Sequence, residues 1–165
     1  MSEPVDFYGG PFSNFARSPF RVGNPWKPGE EITYPTVEHF FQAMKATCEA
    51  DHDAVLAEPD CWKAKAVGQT ILLRDGWDDI RYDVMLAGLR EKFKITYFRV
   101  ELLRTGDAEI REDSPSDFIW GYRNNGLNLL GKALMEIRAE IVSELSMVDP
   151  RRLTCDGHDG AILPL

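Results

Sequence analysis

Apolar residues recur at helical spacing in three stretches of this chain and alternate in two short ones. From Val37, the residues Phe41, Met44 and Cys48 fall on one side of a helix at about 100° per residue, flanked by Phe40 and Thr47. Pro35 and Thr36 mark its start, because proline disfavours helix before it and the threonine hydroxyl can cap a free N–H. A second stripe opens at Asp79 and buries Tyr82, Met85, Leu86, Leu89 and Phe93. The third, over 129–147, turns Leu130, Leu134, Ile137, Ile141 and Leu145 inward and stops at Asp149-Pro150. Shorter helices are predicted over 54–56, 60–72 and 96–104. Alternation in Phe20-Arg-Val22 and Ile32-Thr-Tyr34, about turn residues 24–29, predicts a small hairpin. Thr105-Gly-Asp107 reads as a turn, 108–111 as a short strand and 113–128 as loop. The expected fold is mainly α with a minor β hairpin, one compact domain over 5–148 followed by a surface tail at 149–165.

Composition narrows the setting. The 165 residues suffice for one domain with one core, and 44% hydrophobic with 28% charged residues is ordinary globular composition. No apolar run approaches the ~20 residues of a membrane span, and the first residues lack the basic and apolar blocks of a signal peptide, so a cytoplasmic protein is expected. The net charge of −8 gives no global field to attract nucleic acid, so an anionic ligand needs local donors. Cys48, Cys61 and Cys155, like His39, His52 and His158, are scattered. Cys48 and His52 lie four apart, but no second ligand pair follows; no metal is expected, and Cys48 is assigned to the core.

The candidate chemistry starts on the Thr36 helix. Glu38, Gln42, Lys45 and Glu49 form a polar stripe beside its apolar face. Seven residues separate Glu38 from Lys45, roughly 10 Å along the axis, which suits a ligand lying along the helix better than a direct ion pair. The same stripe would also be an ordinary solvated face, with Lys45 and Glu49 as an i,i+4 pair. Further along, Asn128 is placed to cap the last helix, which makes Gly131 its third residue. Glycine costs about 1 kcal/mol there relative to alanine, so it answers either to an approaching anion or to a closely packed neighbouring helix. Trp120 fits a core lid or a stacking platform, and Asp117 a loop organiser or a site carboxylate. Arg138 fits an internal carboxylate pair or a phosphate clamp. The aromatics of 5–34 read as core plugs, or as platforms for a planar base.

Together these segments resemble the NADAR, or YbiA-like, family, from Phe7 to about Leu145. The resemblance rests on Phe12-Ser-Asn-Phe15, Ser18-Pro-Phe20, Tyr34-Pro-Thr-Val-Glu-His-Phe-Phe-Gln-Ala-Met-Lys45 and Ala64-Lys-Ala-Val-Gly68. It continues through Trp77, Val84-Met85, Lys92-Phe93, Leu103-Arg-Thr-Gly-Asp107 and Ser114-Pro-Ser-Asp117-Phe-Ile-Trp120-Gly121, to Asn128-Leu-Leu-Gly131 and Leu134-Met-Glu-Ile-Arg138. The loop after Gly121 departs from it: Tyr122, Arg123, Asn124 and Asn125 stand where the family is commonly richer in glycine.

The resemblance implies a compact, mainly helical YbiA-like domain that hydrolyses an N-glycosidic bond on a ribosyl phosphate compound. Its implied substrates are ADP-ribose on guanine bases, free or within a nucleic acid, and ribosylaminopyrimidine phosphate intermediates of riboflavin biosynthesis. A non-catalytic ADP-ribose-binding module is the alternative of another class. Cleavage needs a proton for the departing nitrogen and stabilisation of positive charge at C1′, for which Glu38 is the first candidate and Asp117 the second. Lys45 would capture C1′ as a Schiff base if its amine is neutral, or orient phosphate if charged. Substrate-binding roles fall to Ser13, Asn14, Phe15, Gln42, Trp120, Gly121, Asn128, Gly131 and Arg138. No cofactor, membrane contact or stable protein partner is expected.

Overall fold

A computed structural model of the chain describes residues 2–147; the expected surface tail at 149–165 lies outside the described residues. Among the described residues, two separate two-stranded sheets and six α-helices make up the fold. β1 (Val5–Phe7) pairs in parallel with β4 (Ile110–Glu112), and β2 (Phe20–Gly23) pairs antiparallel with β3 (Glu31–Tyr34) in the expected hairpin. The helices are α1 (Val37–Ala43), α2 (Glu49–Ala57), α3 (Cys61–Gly68), α4 (Trp77–Lys92), α5 (Thr96–Arg104) and α6 (Leu129–Met147). The mainly helical class holds. β1 was not foreseen; its partner β4 lies far away in the sequence.

The short α1 is the axle of the domain. Thr36 caps it, its hydroxyl accepting the His39 N–H at 3.2 Å, and the Asn14 carbonyl takes the Glu38 N–H at 3.1 Å. All seven of its residues are buried, enclosed by α2, α3 and α4. His39 is held at both ring nitrogens, 2.8 Å from the Thr36 hydroxyl and 2.9 Å from the Glu58 carbonyl. Since that carbonyl only accepts, Nε2 carries a proton. Of the polar stripe, Glu38 and Gln42 are buried and Lys45 is half-buried, while Glu49 lies on α2 and pairs with Lys27 at the surface at 2.9 Å.

Two expectations fail here. The helix stops at Ala43 instead of running on to Glu49, and Cys48 is exposed at the start of α2. The break shifts every later residue off the extrapolated apolar face, so Cys48 leaves the core. Leu145, expected inward, is 51% exposed.

Close backbone approach explains how α4 reaches the axle. A Cβ on Gly88 would lie 2.8 Å from the Phe40 ring, so only glycine lets α4 pack so near α1. α6 then lies on α4 and β4, with Leu130, Leu134, Ile137 and Ile141 buried. Each such aliphatic side chain contributes about 1.5–3 kcal/mol on burial. A two-pronged Arg90–Glu140 ion pair at 2.6 and 3.0 Å joins the outer faces of α4 and α6. Among the described residues no helix is long and apolar enough to cross a membrane.

Candidate active site

A cleft of about 1160 Å³ opens beside α1. α1 and α3 form its floor, the 10–16 segment and the first turns of α4 one wall, and β4 with the 114–120 loop the other. The volume exceeds what a single base or sugar fills.

Three side chains of α1 and its exit make a continuous chain on the floor. Lys45 Nζ donates to Gln42 Oε1 at 2.6 Å, and Gln42 Nε2 donates to Glu38 Oε1 at 2.7 Å. The amide spans the gap that the sequence leaves between acid and amine. Room for it comes from α3: a Cβ on Gly68 would stand 2.3 Å from Gln42 Oε1. Burial raises the Glu38 carboxyl above the ordinary range, opposed by Lys65, by the Gln42 N–H and by Lys45. The Lys45 amine lies 5.5 Å from the Phe41 ring centre and 6.0 Å from that of Trp77, and burial lowers its pKa against the pull of Glu38.

The walls supply the rest. Asp117 Oδ1 accepts the N–H groups of Ile119 and Trp120 at 3.1 and 2.9 Å, while its other oxygen faces Lys65 at 3.9 Å. It therefore organises the loop and lines the cleft at once. Trp120 meets Phe41 edge-on at 5.3 Å, with its remaining surface toward the cleft. Phe15 packs edge-on against Trp62 at 4.6 Å. Ser13 Oγ accepts the Phe15 N–H at 3.2 Å. Asn14 donates to the Met85 sulfur at 3.2 Å, which leaves its Oδ1 buried and unpartnered. Glu38, Lys45, Asp117, Ser13, Asn14, Phe15, Gln42 and Trp120 thus line one cleft.

Gly121, Asn128, Gly131 and Arg138 do not line it. The start of α6 packs on β4 instead of presenting free N–H groups. A Cβ on Gly131 would fall 2.1 Å from the Ile110 carbonyl, and one on Gly121 would fall 2.7 Å from that of Asp117. Gly131 thus answers to close packing, against a strand. The Asn128 amide bonds the β4 backbone at both ends, to the Glu112 N–H at 3.1 Å and the Ile110 carbonyl at 3.0 Å. Arg138 donates to Thr105 Oγ1 at 2.6 Å and the Ala108 carbonyl at 2.9 Å, closing the turn before β4. Asn124 and Asn125 both have positive φ, 54° and 62°, conformations glycine adopts freely and asparagine tolerates. The departure at this loop is therefore conformationally conservative.

Sequence reasoning missed three groups. Lys65 lines the cleft from α3. Lys92 is fully buried, donates to the Ser13 carbonyl at 2.8 Å, lies 4.7 Å from the Phe98 ring centre, and burial pushes its pKa down to about 7. Glu112 lines the cleft from the end of β4. Among the described residues no three His, Cys, Asp or Glu side chains gather as a metal-ligating group.

The NADAR domain model matches residues 5–142. The N-glycosidase YbiA of Shigella flexneri is 35% identical over 151 residues, covering 85% of this chain and 89% of that protein. The chloroplastic riboflavin biosynthesis protein PYRR of Zea mays is 36% identical over 149 residues, 81% of this chain but 23% of the maize protein. The NMR structure of YbiA from E. coli superposes with a TM-score of 0.76 at 31% identity, covering 90% of this chain and 91% of that one. The matched stretch contains the axle helix and every cleft residue described above, and the chain belongs to the NADAR family.

Proposed function

We propose that this chain is an N-glycosidase that hydrolyses the bond between C1′ of a ribosyl phosphate and the nitrogen of a base, with ADP-ribose on guanine as the favoured substrate. The observation that carries the reading is the Glu38–Gln42–Lys45 chain, an acid and an amine held apart by an amide on the floor of a cleft. Recognition alone needs neither a buried carboxyl nor an amine of lowered basicity, which weighs against a non-catalytic reader. Trp120, Trp62 and Phe15 offer flat surfaces for a base, while Lys65 and Arg81 offer positive charge for phosphate. Glu38 performs the acid–base work at the sugar. Lys45, its charge disfavoured by burial, is suited to take C1′ as an imine once the ribose ring opens.

A second reading, cleavage of a ribosylaminopyrimidine phosphate, is favoured by the riboflavin biosynthesis name of the maize relative. The cleft volume favours the larger ADP-ribosyl substrate. Incubation with ADP-ribosylated guanosine and, separately, with ribosylaminopyrimidine phosphate, followed by mass spectrometry, tests both. Release of free guanosine supports the first reading, release of the aminopyrimidine alone supports the second, and binding without cleavage of either overturns both. Borohydride should trap substrate on the wild-type chain and not on Lys45→Ala; full activity in that variant excludes an essential amine.

A further inference from the structure

Strand β4 ends at Glu112, and its backbone is held on several sides. The Glu112 N–H donates to Asn128 Oδ1 at 3.1 Å, and its carbonyl accepts the Tyr122 N–H at 2.9 Å. Asn128 Nδ2 fixes the Ile110 carbonyl, Gly131 lets α6 press on the same strand, and β1 pairs along its other side. These contacts tie the backbone and leave the side chain free. Glu112 lines the cleft, yet its Oε2 is buried with no hydrogen-bond partner. Such an oxygen is costly to bury unless it carries a proton or meets a ligand.

The groups facing it are Asp117 from the loop, Glu38 from α1 and Lys65 from α3. Burial and the two carboxylates push its carboxyl up to about 7, with Lys65 alone opposing. Burial raises the Glu38 carboxyl as well, but its setting differs: Gln42 donates to it, and Lys65 and Lys45 both favour its charge. Two carboxyl groups in one cleft with unlike surroundings divide acid from base.

Resting on the N-glycosidase reading above, we propose that Glu112 is the proton donor to the departing nitrogen, leaving Glu38 to act at C1′. The C1′–N bond breaks with its electron pair passing to nitrogen, which takes the Glu112 proton. Water then adds at C1′, directly or after the Lys45 amine, and its proton passes to Glu38. One water is consumed, the base leaves with a hydrogen on nitrogen, and solvent exchange takes the proton from Glu38 and returns one to Glu112.

The test is the pH dependence of kcat on whichever ribosyl substrate the wild-type chain cleaves. Wild-type kcat falls as pH rises through about 7, because a general acid must carry its proton. Glu112→Gln should lower kcat by roughly 10²–10⁴-fold, keep KM within about threefold and lose that alkaline fall. Unchanged kcat, or lost activity with the fall intact, overturns the assignment while the N-glycosidase reading stands. A wild-type chain that releases no base from either substrate overturns both. Should the amide variant not fold, Glu112→Asp decides: reduced kcat with a displaced alkaline limb supports the assignment, and an unchanged profile sinks it.

Discussion

The starts of α1 and α6 look alike in sequence and differ in use. Each joins a polar cap position to an apolar stripe, and each was a candidate for holding part of a ligand. At α1 the polar side chains bond one another and still face the cleft. At α6 both ends of the Asn128 amide are taken by β4, and Gly131 is pressed on a carbonyl. The difference lies in which hydrogen-bonding groups the fold has already used. A helix start serves a ligand only with what remains.

The strongest way to break this contrast is Glu38→Gln. It should lower kcat/KM by roughly 10³-fold while the melting temperature holds or rises, since a neutral amide replaces a buried carboxyl. Kinetics beside a thermal melt would decide, and an active but unstable variant would reverse the roles of the two regions. Next comes Gly131→Ala. Its methyl would meet backbone, so a loss of about 3 kcal/mol and roughly 10 °C in melting temperature is expected, with substrate affinity kept in the folded fraction. Weakened binding at unchanged stability would return α6 to the ligand.

Gly68→Ala sharpens the α1 side. The added Cβ displaces the Gln42 amide and should cost about tenfold in kcat, read with circular dichroism to show that the helices persist. The effect furthest from the cleft chemistry concerns Lys92. Its folded pKa of about 7 lies below the ordinary 10.5, so the unfolded chain binds the proton more tightly. Its burial penalty is complete below pH 7 and fades as pH rises toward 10.5. Lys92→Met should therefore flatten the rise in melting temperature between pH 7 and 10, by on the order of 10 °C. An identical slope in both proteins would mean that Lys92 is solvated.

Much of this was legible before any coordinates. The hairpin, α4, α5, the Thr36 cap and the placing of Glu38 with Lys45 follow from spacing and capping chemistry. What escaped depended on contacts distant in sequence. Lys92 sits at the edge of the Met85–Leu89 stripe, and a lysine in apolar phase was the available signal. Glu112 shares a strand face with the buried Ile110, so period-two alternation carried one residue further would have found it. Arg138 answers to the turn before β4 and Gly131 to β4 itself, partners that no local pattern names.

Gln42 has one more consequence. Its oxygen receives the amine and its nitrogen reaches the acid, so the bridge passes polarisation in one direction but exchanges no hydrogen ion at neutral pH. It is an insulator set between two reservoirs. Glu38 and Lys45 can hold opposite states of protonation without discharging into each other, and a carboxylate at position 42 would short the circuit.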